Sequence, residues 1–208
     1  MKELFLNGSL SFIDKYCKYN ENDKKKLLYG LEGIYLTITK TIIILLVAAM
    51  LEILKETLIL VLLFNLIRYT GFGFHAEKSW HCLVCSLINF VFLPYVMLKI
   101  NFSNISILLI STICIINYLL FAPADTIKRP LPNKRKRLIR KILTISIGII
   151  YTVLIFILNN KMFTSLLLNA LIIQAVVINP ITYMIFNQPY NNYKNFSTNS
   201  YCMFPFDS

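Results

Sequence analysis

The chain has 208 residues, a formal net charge of +11 and 57% hydrophobic residues, while only 15% of its residues are charged. A soluble domain of this length carries more charge and could not cover so many long apolar runs with polar surface, so the composition excludes an ordinary water-soluble protein. The positive charge does not indicate nucleic-acid binding, because Lys and Arg fall between the apolar runs, as in the cytoplasmic loops of membrane proteins.

The first predicted element is an N-terminal segment, residues 1–30, in which apolar side chains are interleaved with lysines. This pattern is typical of a helix that lies in the membrane interface with its lysines toward anionic lipid headgroups. It fits a cytoplasmic cap on a helical bundle equally well.

Six apolar runs follow, and most are near the ~20 residues that cross a bilayer as a helix. They are continuous rather than alternating, which disfavours a transmembrane barrel. We therefore predict an all-α, polytopic membrane bundle that forms a single domain over residues 1–208, with Asn179 and Pro180 breaking the last span. The second run is short, so a four-span bundle with re-entrant segments stays open. The predicted spans are residues 34–51, 57–67, 83–98, 105–121, 142–158 and 163–186.

Six spans with both termini inside place most Lys and Arg residues on the cytoplasmic side. The same side receives the stretch 71–86, the basic loop 123–141 and the polar tail 187–208, which we expect to be mobile. The sequence thus predicts a multi-pass protein of the cell membrane whose thiols lie in a reducing compartment.

The stretch 71–86, GFGFHAEKSWHCLVCS, contains both histidines of the chain and two of its five cysteines. A cysteine thiolate is a strong nucleophile, and a histidine is the usual partner that takes the thiol proton. His81 and Cys85 are four residues apart and would meet on one face of a helix. Spacing alone slightly favours this pairing.

A second pairing joins His75 and Cys82, which are seven residues apart and too distant on a straight helix for a hydrogen bond. Gly71 and Gly73 predict that the chain is not a regular helix at this point. If a helix begins near Ser79, His75 can fold back toward a cysteine in the first turn, where the helix dipole favours a thiolate.

Three other interpretations compete with a nucleophile. A zinc site is disfavoured because His81 and Cys82 are adjacent, whereas zinc motifs separate their ligand pairs, so we expect no metal and no cofactor. A redox membrane protein could use the same His/Cys cluster. A small transporter or exporter subunit would explain polar residues within the spans, although such residues more often form hydrogen bonds between helices. They are Asn65, Asn89, Asn117, Asn169 and Gln174.

Two motifs in order resemble the accessory gene regulator protein B (AgrB) family of membrane peptidases from Gram-positive bacteria. The run LIRYTGFGFHAEKSWHC has a glycine-rich approach, a His-Ala pair at His75 and Ala76, and a cysteine, Cys82, seven residues after the histidine. The run FAPADTIKRPLPNKRKR, residues 121–137, is similar to the Ala-Pro-Ala segment that leads into the basic loop of the family. The resemblance covers essentially the whole chain and implies that His75 and Cys82 form the catalytic pair.

The resemblance implies a cysteine endopeptidase of peptide quorum sensing. It would remove the acidic tail of an AgrD-type propeptide through an acyl-thioester on Cys82 and allow closure of a thiolactone or lactone ring. The implied partners are that propeptide, membrane lipids and a second copy of the chain, with no nucleic acid. Glu77, His81 and Asp125 are the candidate residues that would support this catalytic pair. The predicted substrate-binding residues are Arg68, Lys128, Arg129, Lys134, Arg135, Lys136 and Arg137.

Overall fold

A computed structural model of the chain describes residues 2–14, 20–74, 79–126 and 131–193. The chain forms two compact units, Met1–Glu52 and Ile53–Ser208. The first unit contains helices α1, Lys2–Asp14, and α2, Glu21–Met50, which pack against each other. The prediction that the whole chain acts as a single peptidase domain concerns function and stays a prediction.

The second unit is built from helices in the residues that the structure describes. Between α4 and α5, the segment Ile88–Phe92 is a π-helix. The helices are α3 Leu54–Gly71, α4 Ser79–Leu87, α5 Leu93–Met97, α6 Asn104–Phe121, α7 Lys134–Leu158, α8 Lys161–Ile178 and α9 Pro180–Ile185.

Within the described ranges, five helical segments are long and apolar enough to cross a membrane. They are Gly30–Met50, Trp80–Met97, Asn104–Phe121, Lys134–Leu158 and Lys161–Ile178. The all-α, polytopic class is therefore confirmed. The remaining predicted span, 57–67, lies in α3, an 18-residue helix that carries Lys55, Glu56 and Arg68 near its ends. These charges make α3 less apolar than the other five segments.

Helix α8 is the centre of the second unit and packs against α3, α5, α6 and α7. Of its apolar window 61% is buried, compared with 22% in α6 and in α7. A helix enclosed by neighbours must be apolar on every face, whereas α6 and α7 expose Leu and Ile outward, as lipid contact requires. The α8 helix therefore forms the core around which the other helices are placed.

Polar side chains connect these helices through hydrogen bonds to backbone carbonyl oxygens. The hydroxyl of Tyr118 donates to Leu171 O at 2.6 Å, and that of Tyr151 donates to Leu63 O at 2.8 Å. Without a strong hydrophobic force between helices in lipid, such bonds help to fix the arrangement of the bundle.

The predicted break at Asn179 and Pro180 is confirmed. Helix α8 ends at Ile178, and the Asn179 side chain accepts a hydrogen bond from the Ile181 backbone N–H as the N-cap of α9. Proline lacks an N–H and fits the first turn of a helix, so a new helix begins where the old one cannot continue. The predicted span 163–186 is thus two helices.

Candidate active site

The glycine-rich turn after α3 is fixed by backbone hydrogen bonds to two distant segments. Gly73 N–H donates to Ala124 O at 2.8 Å, and Ala124 N–H donates to Gly71 O at 3.1 Å. Phe74 N–H donates to Val177 O at 2.9 Å, near the end of α8. The two motifs of the sequence, the glycine-rich approach and the Ala-Pro-Ala segment, therefore meet directly in the fold.

Arg68 holds the same turn from the other side. Its guanidinium donates to three successive carbonyl oxygens, those of Phe72 at 2.6 Å, Gly73 at 2.9 Å and Phe74 at 2.5 Å. Charge-assisted hydrogen bonds of this kind are worth more than neutral ones, and the planar guanidinium fixes their geometry. Both terminal nitrogen atoms of Arg68 are thus engaged within the protein, and its predicted role in substrate binding stays a prediction.

Both glycines of the turn are required by the space around them. Gly73 has a φ of +119°, and an added Cβ would meet the Arg68 guanidinium and come within 2.9 Å of Val177. At Gly71 a Cβ would overlap the Gln174 amide, which donates to the Phe72 carbonyl at 3.1 Å. The predicted irregular backbone is confirmed, since α3 ends at Gly71.

Cys82 is the fourth residue of α4, which begins at Ser79, where the sequence predicted a helix start. Its side chain is half-buried and packs against the hydrophobic core of the second unit. The first turn of a helix has free backbone N–H groups and a positive dipole end, which favour a thiolate. The predicted partner His75 and the supporting residue Glu77 lie outside the described residues, so the pairing with Cys82 stays a prediction.

His81 lies among aromatic rings at the start of α4. Its ring centre is 4.6 Å from that of Trp80, which is 62% exposed, and 6.3 Å from that of Phe186. Among the residues that the structure describes, no three His, Cys, Asp or Glu side chains converge as metal ligands. A supporting role for His81 at the thiol stays a prediction.

Asp125, the third predicted supporting residue, is buried and holds the tail. Its Oδ2 accepts a hydrogen bond from Tyr193 N–H at 2.8 Å and from Leu131 N–H at 3.4 Å, and Arg137 Nη1 lies 3.8 Å away. These contacts give the carboxylate a structural task. Its predicted role in orienting His75 stays a prediction.

The tail contacts the bundle as far as Tyr193, whereas its predicted mobility stays a prediction. The guanidinium of Arg137 lies 3.4 Å from the centre of the Tyr193 ring, a cation–π contact. Tyr190 donates to Phe121 O at 3.4 Å, and burial raises the pKa of its phenol, which therefore stays neutral.

The basic residues at the start of α7 fall into two groups. Lys134, Arg135 and Lys136 are exposed on the first turn of the helix, after the N-cap Asn133. Further along α7, Arg137 contacts the tail. Cations at the positive end of a helix dipole are unfavourably placed, and a bound anion would relieve this repulsion. The predicted contacts Lys128 and Arg129 lie outside the described residues.

Arg140, also on α7, donates to Tyr69 O at 2.7 Å and lies 4.3 Å from the centre of the Phe72 ring. Sequence reasoning missed this contact, the Arg68 contacts and the pairing of Ala124 with the glycine turn. A signal was present for Arg68, because a charged residue directly after an apolar run and before two glycines is costly unless it has partners.

Comparison with known proteins gives consistent results. The sequence model of the accessory gene regulator B (AgrB) family matches residues 8–178. The chain is 31% identical over 186 residues to an AgrB-like protein of Clostridium acetobutylicum, with 88% of each chain covered. It is 33% identical over 181 residues to an AgrB-like protein of Listeria innocua, covering 86% of this chain and 88% of the relative.

A relative from Staphylococcus carnosus named accessory gene regulator protein B is 30% identical over 112 residues, which cover 54% of this chain and 59% of the relative. No solved structure matches the chain.

Proposed function

The chain belongs to the accessory gene regulator B family, and we propose that it is a membrane-bound cysteine endopeptidase of peptide quorum sensing. Its substrate is an AgrD-type propeptide, from which it removes the C-terminal tail. The active site faces the cytoplasm, on the side where the sequence concentrates Lys and Arg.

In the first step the Cys82 thiolate attacks the peptide carbonyl that precedes the propeptide tail. His75 takes the thiol proton and passes it to the nitrogen of the leaving tail, acting as base and then as acid. The C–N bond breaks and the tail departs with a free amine. The rest of the propeptide remains on Cys82 as an acyl-thioester.

In the second step a thiol or hydroxyl of the propeptide attacks the acyl-thioester. A thiolactone or lactone ring forms, and the Cys82 thiol is released. The internal nucleophile must react before water does, and tethering provides this advantage as an effective molarity of ~10⁵ M or more. The half-buried position of the thiol also reduces, without preventing, the access of water to the intermediate.

The observation that carries the proposal is the position of Cys82 relative to the glycine turn. The thiol lies on the first turn of α4, and the backbone leading toward His75 is fixed at Phe74 by bonds to Arg68 and Val177. Catalytic geometry needs side chains held by rigid support, and this support ends one residue before the predicted base. The motif of the resembled family, a histidine seven residues before the cysteine, corresponds to His75 and Cys82 in this chain.

The exposed cations at the start of α7 support binding of an acidic tail. Lys134, Arg135 and Lys136 form what we call the basic turn. Each contact between such a surface cation and a carboxylate contributes about 1 kcal/mol or less and weakens with salt. Arg137, which was predicted to bind substrate together with these residues, contacts Asp125 and Tyr193, and its role in substrate binding stays a prediction.

The test uses purified protein in liposomes with a synthetic propeptide, and follows cleavage by mass spectrometry. Cys82→Ala should abolish cleavage while propeptide binding is retained, since only the nucleophile is removed. The matched control is Cys85→Ala, on the same helix and also half-buried. It should cleave at a rate near that of the unmodified protein.

Three results would contradict the proposal. Cleavage that persists in Cys82→Ala would show that another group is the nucleophile. Equal loss in Cys82→Ala, Cys85→Ala and His81→Ala, restored by added zinc, would indicate a metal site. Unchanged release of peptide across the membrane by Cys82→Ala, without any cleavage in the unmodified protein, would indicate a transporter.

A further inference from the structure

The helix that carries Cys82 carries a second thiol that the proposed reaction does not use. Cys85 is three residues further along α4, in a Cys-x-x-Cys spacing, and both side chains are half-buried. Cys114, in contrast, is buried within α6, with 4% exposure. Of the cysteines that the structure describes, only the pair on α4 is accessible to a small solute.

Helix geometry places these residues within reach of a disulfide. With a rise of 1.5 Å and a rotation of 100° per residue, positions three apart have Cα atoms ~5 Å apart. Disulfides span Cα separations of about 4.4–6.8 Å. The Cβ atoms of such a pair are ~5–6 Å apart, so they must approach by ~1 Å or more for the bond to close.

The ends of α4 allow this small movement. Cys82 lies at the end of the first turn, and the backbone N–H groups before it, those of Ser79 to His81, have no partner within the helix, so few helical hydrogen bonds resist a shift at this end. At the other end, α4 passes at Ile88 into the π-helix, whose wider turn already departs from regular α-geometry. A nine-residue helix between a glycine turn and a π-segment is easier to distort than the long α6 or α7.

We propose that Cys82 and Cys85 form a reversible disulfide when a peroxide oxidises Cys82. This modification silences the nucleophile and protects it from irreversible oxidation. The loss of activity rests on the proposed function, whereas formation of the disulfide does not. The chemical class of the co-reactant is a hydroperoxide, such as hydrogen peroxide.

The chemistry balances in two steps. The Cys82 thiolate attacks one peroxide oxygen, the O–O bond breaks, and with one proton the products are a Cys82 sulfenic acid and water. The Cys85 sulfur then attacks the Cys82 sulfur, an S–S bond forms, and hydroxide leaves and takes up the Cys85 proton as a second water. In total two thiols lose two electrons and two protons to one peroxide molecule. A dithiol reductant reverses the change by thiol–disulfide exchange.

Cys85 has a distinct role in this scheme. Without a nearby second thiol, a sulfenic acid on Cys82 is open to further peroxide and proceeds to the irreversible sulfinic acid. Cys114 cannot substitute, because it is buried in another helix. Cys17 and Cys202 lie outside the described residues, so the experiment removes them as competing thiols.

The test uses the full chain in liposomes with Cys17→Ser and Cys202→Ser, treated with hydrogen peroxide. Peptide mass spectrometry should find Cys82 and Cys85 linked with the loss of two hydrogen atoms, while Cys114 stays reduced. Dithiothreitol should restore both free thiols and the full rate of propeptide cleavage. The matched variant Cys85→Ser should cleave normally before oxidation, but should accumulate sulfinic acid at Cys82 and recover no activity with dithiothreitol.

The proposal is overturned if Cys82 reaches the sulfinic acid equally fast with and without Cys85, or if the disulfide links two copies of the chain. It is also overturned if Cys82 and Cys85 become oxidised only at peroxide concentrations that oxidise Cys114 as well. A disulfide that forms in a protein unable to cleave the propeptide would refute the proposed function alone. The two failures are therefore distinguishable.

Discussion

Replacement of Gly73 by alanine tests the rigid turn that precedes the predicted catalytic histidine. The new Cβ would meet the Arg68 guanidinium and come within 2.9 Å of both Val177 Cγ1 and Val177 O. The Val177 carbonyl is fixed by its bond from Phe74 N–H, so it cannot yield easily. The backbone itself is also unsuitable for alanine, because φ is +119°.

The cost follows from two contributions. A non-glycine residue in this region of φ costs about 1–3 kcal/mol. If the methyl group displaces Arg68 from one carbonyl oxygen, a charge-assisted hydrogen bond worth about 1.5–3 kcal/mol is lost. Their sum, about 2.5–6 kcal/mol, lowers the population of the native turn at least ~60-fold, since each 1.4 kcal/mol corresponds to a factor of ten. The helices stay folded, because Gly73 contributes no side chain to the core.

The assay compares the initial rate of propeptide cleavage with the thermal unfolding of the same preparation. Gly73→Ala should cleave at least ~60-fold more slowly, because the population of the native turn falls by this factor, and should still unfold cooperatively. Gly30→Ala in α2 is the matched control, because a Cβ there meets no atom within 4 Å. If Gly73→Ala cleaves at the unmodified rate and unfolds at the same temperature, the turn is not as tightly constrained as the geometry states.

Two further predictions concern the cations. Arg68→Lys should reduce the cleavage rate ~10- to 100-fold, because a single ammonium cannot reach three carbonyl oxygens as the planar guanidinium does; an unchanged rate would rule out the clamp. Joint replacement of Lys134, Arg135 and Lys136 by glutamine should raise KM for an acidic-tailed propeptide up to ~100-fold at low salt and leave kcat unchanged. The difference should shrink as salt is added, and a salt-independent KM effect would argue against electrostatic binding. Removing cations from this helix end should also slightly stabilise α7.

Much of the fold follows from the sequence because a bilayer imposes strong rules on helix length and apolarity. The run that became α6 is continuous and uncharged, so its type and bounds were predictable. For α7 only the apolar part, 142–158, was predicted; the helix begins at Lys134, within the residues expected to form the basic loop. The α3 helix was predicted too short, as residues 57–67, because charges near its ends lowered its apparent hydrophobicity. The helix start at Ser79 and the break at Pro180 followed from glycine and proline chemistry.

The details of the site were beyond sequence reasoning for a physical reason. In the sequence Arg68 is a single cation next to an apolar run, and only the structure shows that three carbonyl oxygens accept hydrogen bonds from it. Likewise, Arg137 is one of several cations in the sequence, and only the structure shows that its guanidinium contacts the Tyr193 ring. The role of Arg137 depends on a segment that is distant in the chain, so no local pattern encodes it. For Arg68 the local pattern indicates that the charge needs partners, but not that these are three carbonyl oxygens of the following turn. The pairing of His75 with Cys82 rested on the resemblance, since spacing favoured His81 with Cys85.

The link between the glycine turn and the segment at Ala124 is made by amide and carbonyl groups, which every residue except proline possesses. Side chains at these positions can therefore be substituted in evolution without loss of these backbone hydrogen bonds, provided that the new side chains are small enough to fit. A sequence comparison at 31% identity would count such changes as divergence. A contact made by backbone groups can therefore be retained among relatives whose side chains at these positions differ.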